Sequence, residues 1–213
     1  RSPFNGLLGF SKVLYEEYHD LSEEEKNEYI GYVYNSSKNI FKLIENLLQW
    51  SRMQTGRLEF QPKKLDLHDE VYKVINLFTN TAIEKKIAII NAVPLKTIVS
   101  ADQNIITSIL QNLVSNSLKF SGAGGRITVK IRTTDDGFNE ISVSDNGTGI
   151  SDENIAKIFK IDEHLSTIGT ANEEGSGLGL ILCKEMVERI NGYIKIDSKK
   201  GEGTKVTFAI PIQ

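Results

Sequence analysis

Val143 to Ile150 reads VSDNGTGI and changes character within eight residues. Ile141 and Val143 alternate with Ser142 and Ser144, the period of a strand with one face buried; Gly137 and Asn139 supply the turn before it. The strand pattern stops at Asp145, a place from which a carboxylate reaches into a pocket. Gly147 and Gly149 follow, able to adopt positive φ and to let the backbone pass close to something flat or bulky. Alone, Asp-x-Gly-x-Gly also reads as a polar turn between a strand and a helix.

Two other stretches bear on that choice. Ile105 to Phe120, IITSILQNLVSNSLKF, is a helical pattern with Ile106, Ile109, Leu110, Leu113 and Leu118 near one stripe. Asn112 and Asn116 lie four apart and share a helix face. Two amides there, followed by Lys119, suit a hydrated cation and phosphate oxygens; they also read as solvent-facing asparagines. Downstream, Gly175 to Leu180, GSGLGL, runs into LILCKEMVERI, an amphipathic helix. A glycine-rich turn at a helix N-terminus presents backbone N–H groups and the positive end of the helix dipole, which suits phosphate, and otherwise reads as a plain loop.

In this order and spacing the three stretches resemble the ATP-binding domain of sensor histidine kinases, part of the superfamily that includes gyrase-type, chaperone-type and mismatch-repair ATPases. Asn112 to Phe120 matches the asparagine box, Asp145 to Ile150 the first glycine box, Gly175 to Leu180 the second, and Gly201 to Thr204 the closing glycine-threonine turn.

The whole is 213 residues with a net charge of −3 and an isoelectric point near 5.7. That balance leaves no basic footprint for nucleic acid. One cysteine excludes an internal disulfide framework and fits a reducing compartment; Cys183, inside an apolar helix, reads as core. No run of about 18 apolar residues is present, so no span or membrane contact is expected of this segment, and a cytoplasmic location is expected, whether alone or as the cytoplasmic part of a membrane-bound sensor.

The N-terminal region differs from the rest. Phe4, Leu7, Leu8, Phe10, Val13 and Leu14 mark a first helix, and Ser22 with Glu25 reads as a capping box opening a second. There Ile30, Val33, Ser37, Ile40, Ile44, Leu47 and Ser51 follow three-four spacing, flanked by Phe41 and Leu48, a coiled-coil seam. A two-helix hairpin of this size leaves an apolar face that a second copy would cover in a four-helix bundle; packing onto its own C-terminal domain is the other solution. The expected architecture is therefore α+β. A hairpin over residues 1–56 precedes an α/β sandwich over residues 57–213, a mixed sheet with helices on one face. Strands are expected at Leu58–Gln61, Lys86–Val93, Thr97–Ser100, Arg126–Thr133, Glu140–Ser144, Tyr193–Ser198 and Lys205–Pro211. Asp66 or Asp69 is expected to cap one helix and Asp102 the asparagine-bearing one.

The hairpin resembles the dimerisation and phosphotransfer domain of the same kinases. RSPFNGLLGFSKVL matches the end of their histidine box, His-Glu-Leu-Arg-Ser/Thr-Pro, so the phosphoacceptor histidine would lie three residues before Arg1. His19, His68 and His164 stand in the wrong places to replace it. Pro3 would be the kinking proline, and Ser2 would match the position that orients water when a partner is dephosphorylated.

The resemblance further implies that Asp145 accepts a hydrogen bond from the adenine amino group. Asn116 and Asn112 would hold Mg²⁺, Lys119 would neutralise phosphate charge, and Gly175, Gly177, Leu178 and Gly179 would cradle the phosphates, with Gly147 and Gly149 beside the base and Thr204 adding a hydroxyl near adenine. Ser151 to Glu174 would be a mobile lid, with Phe159 its F box and no arginine, so that Lys119, Lys157 or Lys160 serves the γ-phosphate. Gyrase-type ATPases carry a water-activating glutamate where this chain has Asn112, and an amide is no general base. That favours transfer to a histidine, then to an aspartate of a response-regulator receiver domain, over hydrolysis. The alternatives are a nucleotide-binding dimerisation module without transfer activity and, third, an ATP-hydrolysing clamp.

Overall fold

The computed structural model describes residues 2–54, 60–160, 169–171, 173 and 177–212. It divides into two compact units, Arg1–Thr55 and Gly56–Gln213.

In the first unit, α1 (Ser2–Glu16) and α2 (Glu23–Gln54) form a hairpin. Their contacts run in opposite senses along the two helices. Gly6 faces Ser36, Phe10 stacks on Tyr32 with ring centroids 4.6 Å apart, and the Lys26 ammonium lies 4.5 Å from the centre of the Tyr18 ring. The capping box is made: Ser22 N donates to Glu25 Oε2 at 2.9 Å, and Glu25 N donates to Ser22 Oγ at 3.2 Å. Those two bonds satisfy donors that a helix start otherwise leaves open. The expected seam divides into two faces. Val33 and Ile40 are half-buried on the side of Tyr29 and Ser36, whereas Ile30, Phe41, Ile44, Leu47 and Leu48 are exposed. A straight helix turns 3.6 residues per revolution, so a stripe 3.5 residues in period drifts around it.

The second unit contains β1 (Lys63–Asp66), α3 (Leu67–Leu77), α4 (Thr79–Glu84), β2 (Ala88–Asn91), β3 (Ile98–Ala101) and α5 (Gln103–Phe120). They are followed by β4 (Arg126–Thr133), β5 (Phe138–Asp145), α6 (Asp152–Ile155), α7 (Gly179–Arg189), β6 (Tyr193–Lys199) and β7 (Gly203–Pro211). Five strands make a mixed sheet in the order β2-β4-β5-β7-β6, parallel only between β2 and β4. Helices α3, α5 and α7 cover it, and Leu67, Ile106, Leu110, Leu113, Ile127, Ile141, Met186 and Phe208 fill the layer between. Cys183 belongs to that core, where burial pushes its thiol up to about 12.

Several boundaries move. β1 and β3 pair with each other in a separate antiparallel ribbon instead of joining the main sheet. The strand expected at Leu58–Gln61 lies at Lys63–Asp66: residues 58 and 59 fall outside the described ones, Phe60 and Gln61 are not strand, and pairing begins after Pro62, which has no N–H to give. β2 starts at Ala88 because Lys86 takes a left-handed φ of 55°. β5 runs from Phe138, where Pro211 of β7 pairs with it, so Asn139 is strand and not turn. Asp66, and not Asp69, caps α3, accepting from His68 N and Asp69 N. Asp102 caps α5 through Asn104 N and Ile105 N, and its second oxygen accepts from Gln61 N at 3.0 Å. α6 stops at Ile155, so Phe159 of the F box lies beyond it.

Candidate active site

Asp145 ends β5 directly opposite Thr204, because the antiparallel register of β5 and β7 pairs those two residues. Three donors hold its carboxylate. Oδ1 accepts from Gly147 N at 3.0 Å and Thr204 N at 3.2 Å, and Oδ2 accepts from Ser117 Oγ of α5 at 2.9 Å. A carboxylate oxygen can accept more than one hydrogen bond, so Oδ2 has acceptor capacity beyond the bond from Ser117. Partial burial raises the Asp145 pKa above the ordinary aspartate value, although the bonds from Gly147, Ser117 and Thr204 pull it down.

The glycines around it follow from close approach. A Cβ on Gly147 would overlap the Phe120 carbonyl, and one on Gly203 (φ 110°) would overlap the Asp145 carbonyl. Gly149 takes φ 63° and lies against the Lys199 carbonyl, so it needs both properties of glycine. Thr148 N donates to Phe120 O and Gly201 N donates to Thr148 O, locking the first glycine turn between α5 and the β6–β7 turn. Ser198 Oγ accepts from Ile150 N at 2.8 Å and lies 2.8 Å from Thr204 Oγ1.

The amide side is built by α5 and the start of α7. Asn112 and Asn116 are half-buried, not solvent-facing. Asn112 Nδ2 donates to Ser108 O at 3.0 Å, which turns Oδ1 away from its own helix backbone. That oxygen lies 3.0 Å, and Asn116 Nδ2 3.9 Å, from where a Cβ on Gly179 would sit. Both asparagines therefore face the first residue of α7. Leu178 is its N-cap and makes no side-chain capping bond, and a helix N-terminus is a place that suits an anion. Gly177 has φ 69°. Lys119 occupies the last turn of α5, with its ammonium 4.7 Å from the centre of the Phe120 ring.

Asp145, Gly147, Gly149 and Thr204 thus gather at one end of α5, and Asn112, Asn116 and Gly179 along its side. Gly175 lies outside the described residues, as do Asn172, Glu174 and the lid centre at 161–168. Ser2 is in the first turn of α1, in the other unit, and its side chain is not described. Lys157 is engaged by Glu153 at 2.7 Å. Ser117 was missed on reading the sequence; its place one residue after Asn116 was the available signal. Ser198 was also missed, and nothing local marks it, because the β6–β7 register brings it to Thr204.

Among the described residues no cluster of three or more His, Cys, Asp or Glu side chains offers a metal site. Two amide oxygens suit a hard cation that draws its remaining ligands from phosphate and water, the usual manner of Mg²⁺. The donor set fits Mg²⁺ bound together with a nucleotide and not Mg²⁺ alone.

Comparison with known proteins identifies the family. Residues 101–213 match the family described as histidine kinase-, DNA gyrase B-, and HSP90-like ATPase. The chain belongs to that family, and carries the ATP-binding domain of a sensor histidine kinase preceded by a helical hairpin. Sensor protein EvgS of Escherichia coli (strain K12) is 30% identical over 218 positions, covering all of this chain and 18% of that protein. Full-length ShkA, solved in complex with AMPPNP, is similar over the whole chain and 43% of its own, at 27% identity and a TM-score of 0.71. Histidine kinase ThkA, solved with response regulator protein TrrA, shares the fold at 22% identity with a TM-score of 0.77, covering all of this chain and 58% of that one. The chain spans less than a third of the length of its first curated relatives. Among the described residues no helix is long and apolar enough to cross a membrane.

Proposed function

We propose that this chain is the catalytic core of a two-component sensor histidine kinase. It binds ATP with Mg²⁺ and passes the γ-phosphoryl group to a histidine outside these residues, from which it moves to an aspartate of a receiver domain. The observation that carries the reading is the Asp145 carboxylate, held by Ser117, Gly147 and Thr204 at the end of the helix that presents Asn112 and Asn116. A carboxylate with a free lone pair accepts the adenine 6-amino group and repels the 6-oxo group of guanine. Asn112 and Asn116 would hold Mg²⁺, which neutralises charge on the phosphates; the start of α7 and Lys119 would bind the rest of the chain of phosphates. Gly147 and Gly149 leave room for the base, and Thr204 places a hydroxyl beside Asp145. The residues present supply positioning and charge, the main needs of phosphoryl transfer. Asn112 offers no general base, which disfavours attack by water. ShkA, 27% identical, binds an ATP analogue, which supports the same ligand class here.

The exposed apolar face of α2, from Ile30 to Leu48, supports a homodimer through the hairpin; a role for Ser2 and a response regulator as partner follow from the family resemblance alone. The unit boundary near residue 56 separates dimerisation from catalysis, and the assembly works in the cytoplasm. Calorimetric titration with ATP, with and without Mg²⁺, on the parent chain and on Asp145→Asn tests the reading. Micromolar-range binding that needs Asp145 and is tightened by Mg²⁺ is the expected result. A parent chain that binds no nucleotide overturns it.

A further inference from the structure

Lys85 caps the C-terminus of α4, outside every motif of the nucleotide site, yet its side chain is only 14% exposed. Its ammonium donates to Leu118 O at 2.7 Å, Thr170 Oγ1 at 2.9 Å and Glu173 Oε1 at 2.7 Å, with a longer contact to Lys119 O at 3.4 Å. Leu118 O is one of the last carbonyls of α5, where a cation is favoured by the helix dipole. Thr170 and Glu173 belong to a short limb, residues 169–173, that precedes the second glycine turn in sequence. Thr170 N donates to Lys119 O at 2.9 Å, and Thr170 Oγ1 donates to Ser121 O at 2.8 Å. Glu173 closes the limb on itself, its Oε2 accepting from Ala171 N at 2.8 Å and its carbonyl accepting from Gly169 N at 2.9 Å. Burial would raise the Glu173 pKa, but Lys85 and the backbone donors outweigh it, and the carboxylate is held below its ordinary value. At Gly169 the limb lies directly on the Lys119 side chain. A Cβ there would come within 2.6 Å of Lys119 Cγ and would overlap the Glu173 carboxylate.

We propose that Lys85 is a positioning residue for the phosphate end of the nucleotide site. Through Thr170 and Glu173 it fastens this limb to the end of α5, and the fastened limb confines the Lys119 side chain. The inference rests on the ATP-binding reading above. A long lysine side chain loses rotamer freedom when it meets a phosphate, and a wall along its stem removes part of that freedom beforehand. Lys85 touches no nucleotide in this scheme; it acts through the limb. Gly169 is glycine because the limb could not otherwise lie so close.

The test is ATP affinity by calorimetry for Lys85→Met, Lys85→Arg and Glu173→Gln, each repeated in a Lys119→Ala background, with urea unfolding to verify that every variant folds. Lys85→Met and Glu173→Gln should each weaken ATP binding about tenfold, and Lys85→Arg should recover most of the loss. In the Lys119→Ala background the effect of both should shrink to within about twofold. Glu173→Gln leaves the bond from Lys85 to α5 in place, so it reports on the limb even if Lys85→Met does not fold. Variants that bind ATP like the parent, or losses that are the same size with and without Lys119, would overturn the proposal while leaving the ATP-binding reading intact. A parent chain that binds no ATP would take down both.

Discussion

Asp145 carries a conflict between stability and binding. Burial raises its pKa, so the folded chain holds this proton more tightly than the unfolded chain does. By linkage, the group's contribution to stability is largest at and below the ordinary aspartate pKa and falls as pH rises through the raised value. Asp145→Asn removes that penalty and keeps the geometry, with an amide oxygen for Gly147 N and Thr204 N and an amide nitrogen for Ser117 Oγ. The variant should therefore resist urea at least as well as the parent at pH 7, with the difference vanishing in acid, while losing ATP binding. A less stable variant at pH 7 would contradict this. Ser117 acts on the same carboxylate from α5, and it is itself buried. One hydrogen bond contributes about 1 kcal/mol, so Ser117→Ala should weaken ATP binding roughly fivefold. An unchanged dissociation constant would show that the backbone donors alone orient Asp145.

Elements meet at this site through turns that leave no room for side chains. The β6–β7 turn approaches so closely that Gly203 abuts the Asp145 carbonyl, and Gly203 also takes φ 110°. Gly203→Ala should lower the melting temperature and weaken ATP binding together, because moving the start of β7 withdraws Thr204 N from Asp145. Retention of both would show that the turn relaxes without disturbing β5. The elements themselves were readable where local chemistry is decisive. Ser22 and Glu25 close their capping box, and Asp102 caps α5, because each bond joins residues two or three apart. β1 was misplaced by a few residues because its edges depend on β3, more than thirty positions away.

At the scale of the molecule, the hairpin unit leaves Ile30, Phe41, Ile44, Leu47 and Leu48 of α2 exposed, too much apolar surface on one helix to stay in water. Ile44→Glu would place a charge in the face that a second copy covers. Sedimentation equilibrium should show a dimer for the parent chain and a shift toward monomer for the variant. A parent chain that remains monomeric at high concentration would remove the argument for self-association.

The residues alone determined the fold class, the covering helices and the three motifs, because period, caps and glycine turns act over a few positions. They placed Asn112 and Asn116 on one helix face and Asp145 at a strand end. Only the tertiary structure decided what those groups meet. The β5–β7 register sets Thr204 against Asp145, and α5 sends Ser117 to its other oxygen. Packing of α7 on α5 turns Gly179 toward both asparagines. Lys85 shows the same limit most clearly: in sequence it ends a short helix, and only folding brings it to Leu118, Thr170 and Glu173. A local pattern carries no information on contacts across 33 to 88 positions, since those are set by how whole layers pack.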